Sequence, residues 1–390
     1  MIDLDTPPRE QDYSGSTMDE PPAESGHSPF TIGHSQIKMH DSRVASRNYP
    51  FFARVKQYSL TKKLQILLNY FVGPVLFIWL TYSIYEHIQR QNDVQQSWQH
   101  IRSAFSGPHL LALSLVVLLM AVNWGLEARK WQLLAGTIQK ISYGRALKAV
   151  CSGQAFGFNT PNRVGEPAGR AIFLNEGNRL RGVILSMVGS MSQTITVFVM
   201  GLAALLYTRW GPLDKGRIMQ GIPMFWLDWL IYAMIIGSAV LIIFYFRLSW
   251  TVKLVEKIPF IAKHRFFVQN LENTHWKELT RILFLSFCRF VVFVVQYVLL
   301  FQVFEVEMHW LDAASMVCVM LLLLAIIPTI TLAELGFRGK ISLQLFGALS
   351  SNSIGIVATA AGIWIVNLII PAIAGSLFIL GLRLFRNKST

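Results

Sequence analysis

Arginine and glutamate side chains accompany helix-breaking residues in two apolar parts of this sequence. The first part, residues 153–170, contains Arg163, Glu166 and Arg170 among several glycines and prolines. Glycine and proline at this density interrupt a helix and free backbone amides, and the planar guanidinium group of arginine binds phosphate through paired hydrogen bonds. A nearby carboxylate such as Glu166 can hold an arginine in place or exchange a proton. These residues predict a phosphate-binding site, although a cytoplasmic turn rich in helix breakers fits the same pattern.

The second part, residues 328–340, contains Glu334 and Arg338, which lie four positions apart in the order that favours an ion pair within a helix. A neutralised pair at a helix end is the alternative interpretation. Arg289 lies inside another apolar segment, where an ionisable side chain is costly and usually functional. We expect its partner to be Glu166 or Glu334.

A third charged group, residues 123–131, closes an early apolar segment. Glu127 and Trp131 share one helix face, and Glu127 and Lys130 have the spacing of a helical ion pair. An aromatic and basic anchor at the cytoplasmic membrane interface fits these residues equally well.

The composition indicates that lipid surrounds the elements carrying these residues. Hydrophobic residues make up 53% of the 390 positions and charged residues only 15%, whereas soluble domains carry about 25% charge. The net charge of +13 is concentrated between apolar segments, which is typical of cytoplasmic loops and anionic headgroups and needs no nucleic acid partner. This pattern excludes an ordinary cytosolic enzyme and a secreted disulfide scaffold.

Seven apolar segments approach the roughly 20 residues that an α-helix needs to cross a bilayer. None alternates as the strands of an outer-membrane barrel do, so the sequence predicts an all-α, polytopic transmembrane helical bundle. The segments are Leu64 to Tyr85, Leu110 to Leu126, Gly182 to Tyr207, Trp229 to Phe246, Ile282 to Gln302, Ala313 to Leu332 and Ile354 to Leu382.

Basic residues in the loops predict a cytoplasmic N-terminus. Seven crossings would place the basic C-terminus outside, against this rule, so we expect seven or eight spans. Two shorter apolar segments, Ala146 to Pro161 and Phe337 to Leu349, are candidates for the eighth span or for re-entrant segments. Irregular backbone at membrane depth is tolerated where it is buried in protein or lines a cavity, and paired interruptions of this kind indicate a transport site.

The N-terminal region differs in composition from the rest. It is rich in Pro, Ser, Gly, Asp and Glu and has no periodic apolar stripe, so residues 1–55 are predicted to be a disordered tail preceding a membrane domain at residues 56–386. The histidines lie in the tail, in loops or at span ends, and the sequence contains no phosphate-loop or zinc-protease motif. We therefore expect no metal and no cofactor.

Three motifs resemble the lysylphosphatidylglycerol synthase transmembrane-region family, also described as flippase-like. The resemblance covers roughly residues 60 to 385. The motif residues are Glu127, Arg129 and Trp131; Asn159, Pro161, Arg163, Gly165, Glu166 and Arg170; and Pro328, Gly336, Arg338, Trp364, Asn367 and Pro371. The resemblance implies an α-helical bundle that moves a phosphate-bearing lipid between leaflets.

The sequence hypothesis is a multi-pass translocase of the bacterial cytoplasmic membrane. Its substrate would be an anionic phospholipid or a polyprenyl phosphate, and the sequence leaves open whether the protein forms homo-oligomers. The predicted substrate-binding residues are Arg163, Glu166, Arg170, Arg289, Glu334 and Arg338, and the predicted supporting residues are Glu127, Arg129, Asn159, Pro161, Gly165 and Gly336.

Two other functions fit the same residues. One is a membrane-embedded transferase in which Glu166 is the base, and the other is a membrane assembly protein without a substrate. The sequence contains no soluble aminoacyl-transferase or ATPase domain, so we favour transport while leaving enzymatic activity open.

Overall fold

The computed structural model describes most of the predicted membrane domain, and every described residue belongs to a unit spanning residues 58–390. The predicted tail and almost all of the first predicted span, Leu64 to Tyr85, lie outside the described residues. The described residues are 78, 82, 85, 86, 107, 109–158, 160, 163–211, 224–247, 276–327 and 331–386.

The described residues form helices and contain no strand, which confirms the all-α class. Five helices are long and apolar enough to cross a membrane, so the fold is a helical membrane bundle. The number of spans over the whole chain stays a prediction. In chain order the helices are α1 His109–Gly136, α2 Tyr143–Phe158, α3 Glu166–Ala171, α4 Arg179–Trp210, α5 Met224–Phe246, α6 Trp276–Val303, α7 Trp310–Ile326, α8 Thr331–Phe346, α9 Ser353–Trp364 and α10 Ile370–Arg386.

The helix that corresponds to the predicted span Ala313 to Leu332 is shorter than expected. Helix α7 has 17 residues and is capped by Ile327 in an extended conformation, so the predicted end at Leu332 was wrong. Pro328 follows in the sequence, and a residue before proline is disfavoured in the helical conformation. Leu332 instead belongs to the next helix, α8.

The last apolar segment is continuous but not uniformly α-helical. A π-helical segment, Ile365–Ile369, joins α9 to α10 and contains the buried Asn367. Such single-turn π segments are uncommon and often occur at functional sites. Helix α10 then packs against α2, where Gly375 lies beside the Cys151 carbonyl.

The two short apolar segments form short helices of 16 residues each, α2 and α8. Neither is among the five candidate spans. Helix α2 is followed by non-helical residues, and α8 is preceded by them. These interruptions position the charged side chains described next.

Candidate functional site

The Glu127 carboxylate, on α1, is the centre of a buried ion-pair cluster. Its Oε2 atom lies 2.8 Å from Lys130 Nζ and 2.9 Å from Arg289 Nη1, and its Oε1 atom lies 2.8 Å from Arg170 Nη1. Arg170 also pairs with Glu166 one helical turn away. We call Glu127, Lys130, Glu166, Arg170 and Arg289 the Glu127 cluster. It holds three bases and two acids, which gives a net charge of +1 when all are ionised.

Tryptophan rings flank the arginines of this cluster. The Arg289 guanidinium lies 5.7 Å from the Trp124 ring centroid, and the Arg170 guanidinium lies 5.9 Å from that of Trp131. Arginine stacked on an aromatic face is stabilised by the ring quadrupole and held in orientation. Asn123 fixes Arg289 further by accepting a hydrogen bond from its Nε atom at 2.6 Å.

Close approach of α2 and α3 brings Arg170 to this cluster. A Cβ atom on Gly153 would lie 2.8 Å from Arg170 Cγ, and one on Gly169 would lie 2.7 Å from the Ser152 carbonyl oxygen. Gly165 and Gly169 are four residues apart, and small residues at this spacing allow helix backbones to approach closely in membranes. Gly165 has a similar role, since a Cβ there would lie 2.7 Å from the Phe156 carbonyl oxygen.

A second cluster forms where α8 meets the turn before α3. Arg163 Nη2 lies 3.1 Å from Glu334 Oε2, and Arg338 Nη2 lies 2.9 Å from Glu334 Oε1. Arg338 also donates a hydrogen bond from Nη1 to the Tyr297 hydroxyl at 2.7 Å. We call Arg163, Tyr297, Glu334 and Arg338 the Glu334 cluster. Two guanidinium groups share one carboxylate, so its net charge is also +1.

Arg163 differs from the other arginines in backbone and exposure. Its φ of 56° lies in the left-handed region, which non-glycine residues seldom adopt and which often marks a functional position. Its side chain is 35% exposed, whereas that of Arg338 is 9% exposed. A ligand that approaches from the exposed side therefore meets Arg163 before it meets the Glu334 carboxylate.

The charge states of these groups follow from their neighbours. Burial alone would raise the pKa of the Glu334 carboxyl, but Arg163 and Arg338 outweigh burial and lower that pKa to about 2. Burial would likewise lower the pKa of Arg170, yet Glu166 and Glu127 raise it above its usual value. Both groups are thus ionised at neutral pH.

A chain of buried carboxamides connects α1, α6 and the π segment. Asn123 Nδ2 lies 3.5 Å from Asn367 Oδ1, and Asn367 Nδ2 donates to Gln296 Oε1 at 3.1 Å. Gln296 in turn donates to the Val116 carbonyl at 2.9 Å. Because Asn123 also binds Arg289, this chain links the π segment to the Glu127 cluster.

All six predicted substrate-binding residues occur in these two clusters. The local pairs Glu334–Arg338 and Glu127–Lys130 form as their spacing predicts. The expected partner of Arg289 was wrong, since the carboxylate that it contacts is Glu127 rather than Glu166 or Glu334.

The predicted supporting residues have different environments. Glu127 is a buried central residue, not an interfacial anchor. Arg129 is exposed and donates to Gln132 at 2.6 Å, and Gly336 is buried in α8. Asn159 and Pro161 lie outside the described residues.

Several residues of the clusters were not predicted as site residues. Lys130 and Tyr297 occupy helix interiors, as do the neighbouring Asn123 and Trp124. Apart from the Glu127–Lys130 pair, the contacts described for them come from other helices. The signal that could have found them is a polar or charged side chain within an apolar helix, the same signal that identified Arg289. In the described part of the chain, no group of three or more His, Cys, Asp or Glu side chains could hold a metal ion.

Comparison with known proteins agrees with this architecture. A search of curated proteins gave no match. A family model described as lysylphosphatidylglycerol synthase TM region matches residues 66–375, which include both clusters and the π segment. The chain therefore belongs to the lysylphosphatidylglycerol synthase transmembrane-region family, a family of membrane proteins linked to lipid handling.

Proposed function

We propose that this protein moves an anionic, phosphate-bearing lipid between the leaflets of the bacterial cytoplasmic membrane. The observation that carries the proposal is the convergence of Arg163 and Arg338 on the single carboxylate of Glu334 within a helical membrane bundle. Pairing two guanidinium groups with one largely buried carboxylate leaves a positive charge that a lipid phosphate would neutralise. The headgroup belongs to a phospholipid or a polyprenyl phosphate.

In this proposal Glu334 is an internal competitor of the lipid phosphate. Its two oxygens accept hydrogen bonds from Arg163 Nη2 and Arg338 Nη2, the same donors that bind phosphate oxygens. When lipid enters, the phosphate takes over Arg163, whose side chain is the exposed partner. Arg338 stays anchored by Tyr297, so the site keeps its geometry while its ligand changes.

The Glu127 cluster supplies the second group of donors. Arg170 Nε, Trp124 Nε1 and Trp131 Nε1 are buried and have no hydrogen-bond acceptor among the described residues. Arg289 and Glu166 are the partly exposed members of the cluster, at 19% and 18%. A phosphate approaching there would meet Arg289 directly and would compete with Glu166 for Arg170. An N-terminus on the cytoplasmic side completes the proposed topology.

The test is leaflet exchange of fluorescent phosphatidylglycerol in proteoliposomes, measured by quenching of the outer leaflet. We expect the wild-type protein to speed exchange and Arg163→Ala to slow it at least tenfold. Arg179→Ala is the matched control, because Arg179 is also a partly exposed arginine paired with a glutamate, Glu176 at 3.4 Å.

Two results would replace the transport proposal. Equal exchange by the wild-type protein, Arg163→Ala and empty liposomes favours an assembly role without a substrate. A covalently modified lipid that disappears in Glu166→Gln, while lipid binding persists, favours a membrane-embedded transferase with Glu166 as base.

A further inference from the structure

Lys130 is the one lysine that is buried in the part of the chain that the structure describes. Its side chain is 2% exposed, and its Nζ atom contacts Glu127 at 2.8 Å. Its remaining partners are neutral, the Gly189 carbonyl and the Ser286 hydroxyl, both at 3.3 Å. A lysine in this position is not needed to neutralise Glu127, because Arg170 and Arg289 already contact that carboxylate.

The charged groups around Lys130 do not balance. Glu127 faces it from its own helix, Arg170 and Glu166 belong to the same cluster from α3, and Arg289 does so from α6. The groups contributed by α4, the Gly189 carbonyl and Ser192, are neutral. With Lys130 protonated, the cluster therefore holds one positive charge in excess, and an unbalanced buried charge is costly.

Only one member of the cluster can relieve this excess easily. Arginine does not lose its proton in proteins, and protonating either carboxylate would add to the positive excess rather than relieve it. Lysine, by contrast, is readily neutralised when it is buried. The charge balance thus depends on whether Lys130 carries its proton.

The surroundings of Lys130 accommodate both of its protonation states. An ammonium group donates a hydrogen bond to Ser286 Oγ, whereas a neutral amine accepts one from the same hydroxyl after the hydroxyl rotates. Ser286 lies 2.7 Å from Ser192 Oγ, and either hydroxyl can be the donor. Neither state therefore leaves the Lys130 nitrogen without a partner.

We propose that Lys130 is a proton-binding site coupled to anion binding. In the empty site Lys130 is a neutral amine and the Glu127 cluster has no net charge. When a monoanionic headgroup binds, Lys130 takes one proton from water, so that the added negative charge is matched by one added positive charge. The proton returns to water when the lipid leaves. This inference rests on the proposed function, and it implies that one proton accompanies each monoanionic lipid.

The experiment is isothermal titration of the purified full-length protein, in zwitterionic detergent, with dihexanoyl phosphatidylglycerol. Titrations at one pH in buffers of different ionisation enthalpy give the number of protons taken up per lipid. We expect about one proton for the wild-type protein, and lipid affinity that weakens by up to tenfold per pH unit as the pH rises past neutrality.

Variants separate the proton site from lipid binding. Lys130→Arg keeps a permanent positive charge, so it should bind lipid with almost no proton uptake and little dependence on pH. Lys130→Met should bind at least tenfold more weakly, also without uptake. Lys148→Met is the control, because Lys148 is exposed on α2, and it should behave as the wild type does.

The outcomes distinguish the two proposals. Lipid binding by the wild-type protein without proton uptake, or unchanged uptake in Lys130→Met, overturns the proton site and leaves the proposed function standing. A wild-type protein that neither binds phosphatidylglycerol nor speeds its leaflet exchange overturns the proposed function and this inference together.

Discussion

The Arg163 guanidinium lies 3.1 Å from the Glu334 carboxylate, across a sequence separation of 171 residues. This contact joins two interruptions between described helices, the turn before α3 and the start of α8, into one site. Since Arg338 binds the same carboxylate, Glu334 holds together two arginines that would otherwise repel each other. The internal ion pair and the proposed lipid phosphate therefore use the same donors.

Replacing Glu334 with Gln should strengthen lipid binding while lowering the stability of the lipid-free protein. The variant keeps the shape of the side chain but leaves two guanidinium groups without their carboxylate, at a cost of about 3 kcal/mol in the free energy of unfolding. A bound phosphate would restore that stability. Native mass spectrometry should show more co-purified phosphate lipid on Glu334→Gln than on the wild type.

Glu176→Gln is the control for this experiment, because Glu176 is 84% exposed and its pair with Arg179 is at the surface. It should change neither lipid retention nor stability by a measurable amount. Lipid retention that is unchanged or lower in Glu334→Gln would show that Glu334 does not compete with the ligand.

Replacing Glu127 with Gln should be among the most destabilising single changes in the bundle. The variant leaves Arg170 and Arg289 without their shared carboxylate, and removing one partner of a buried ion pair costs about 3 to 5 kcal/mol. Chemical unfolding in detergent measures the change.

Glu166→Gln provides the comparison for Glu127→Gln, since Glu166 has one arginine partner and is partly exposed. Its loss of stability should be less than half as large. Equal losses in the two variants would mean that the Glu127 cluster is not organised around Glu127.

The sequence predicts the short-range part of this site and not the long-range part. The pairs Glu334–Arg338 and Glu127–Lys130 follow from the helical repeat, which fixes neighbours three and four positions apart. The partner of Arg289 depends on the rotation of α6 against α1, which is determined by packing of the whole bundle, and its prediction was wrong. The end of α7 was missed for a different reason, because hydropathy continues past Ile326 and was followed in place of the local signal of Pro328.

Replacing Asn367 with Ala should lower both stability and lipid affinity. The change leaves Gln296 Oε1 without its donor and removes the Asn123 contact that helps to orient Arg289. A buried polar group left without a partner costs about 1 to 3 kcal/mol. Thermal unfolding and phosphatidylglycerol titration measure the two effects.

Ser376→Ala is the control for Asn367→Ala, because the Ser376 hydroxyl donates to the Ala372 carbonyl one turn earlier in its own helix. It should alter stability by less than about 1 kcal/mol and leave lipid affinity unchanged. Normal lipid affinity in Asn367→Ala would separate the carboxamide chain from the Glu127 cluster.

Two glycines of α10 offer a matched test of how the site is positioned. A Cβ atom on Gly375 would overlap the Cys151 carbonyl of α2, whereas a Cβ on Gly381 would have nothing within 4 Å. Gly375→Ala must therefore push α10 away from α2, at a cost of about 1 to 3 kcal/mol or more. Because α2 leads into the turn that carries Arg163, leaflet exchange should also slow. Gly381→Ala should leave thermal unfolding and exchange as in the wild type. Normal exchange in a destabilised Gly375→Ala protein would show that the contact between α2 and α10 supports the fold without positioning the arginines.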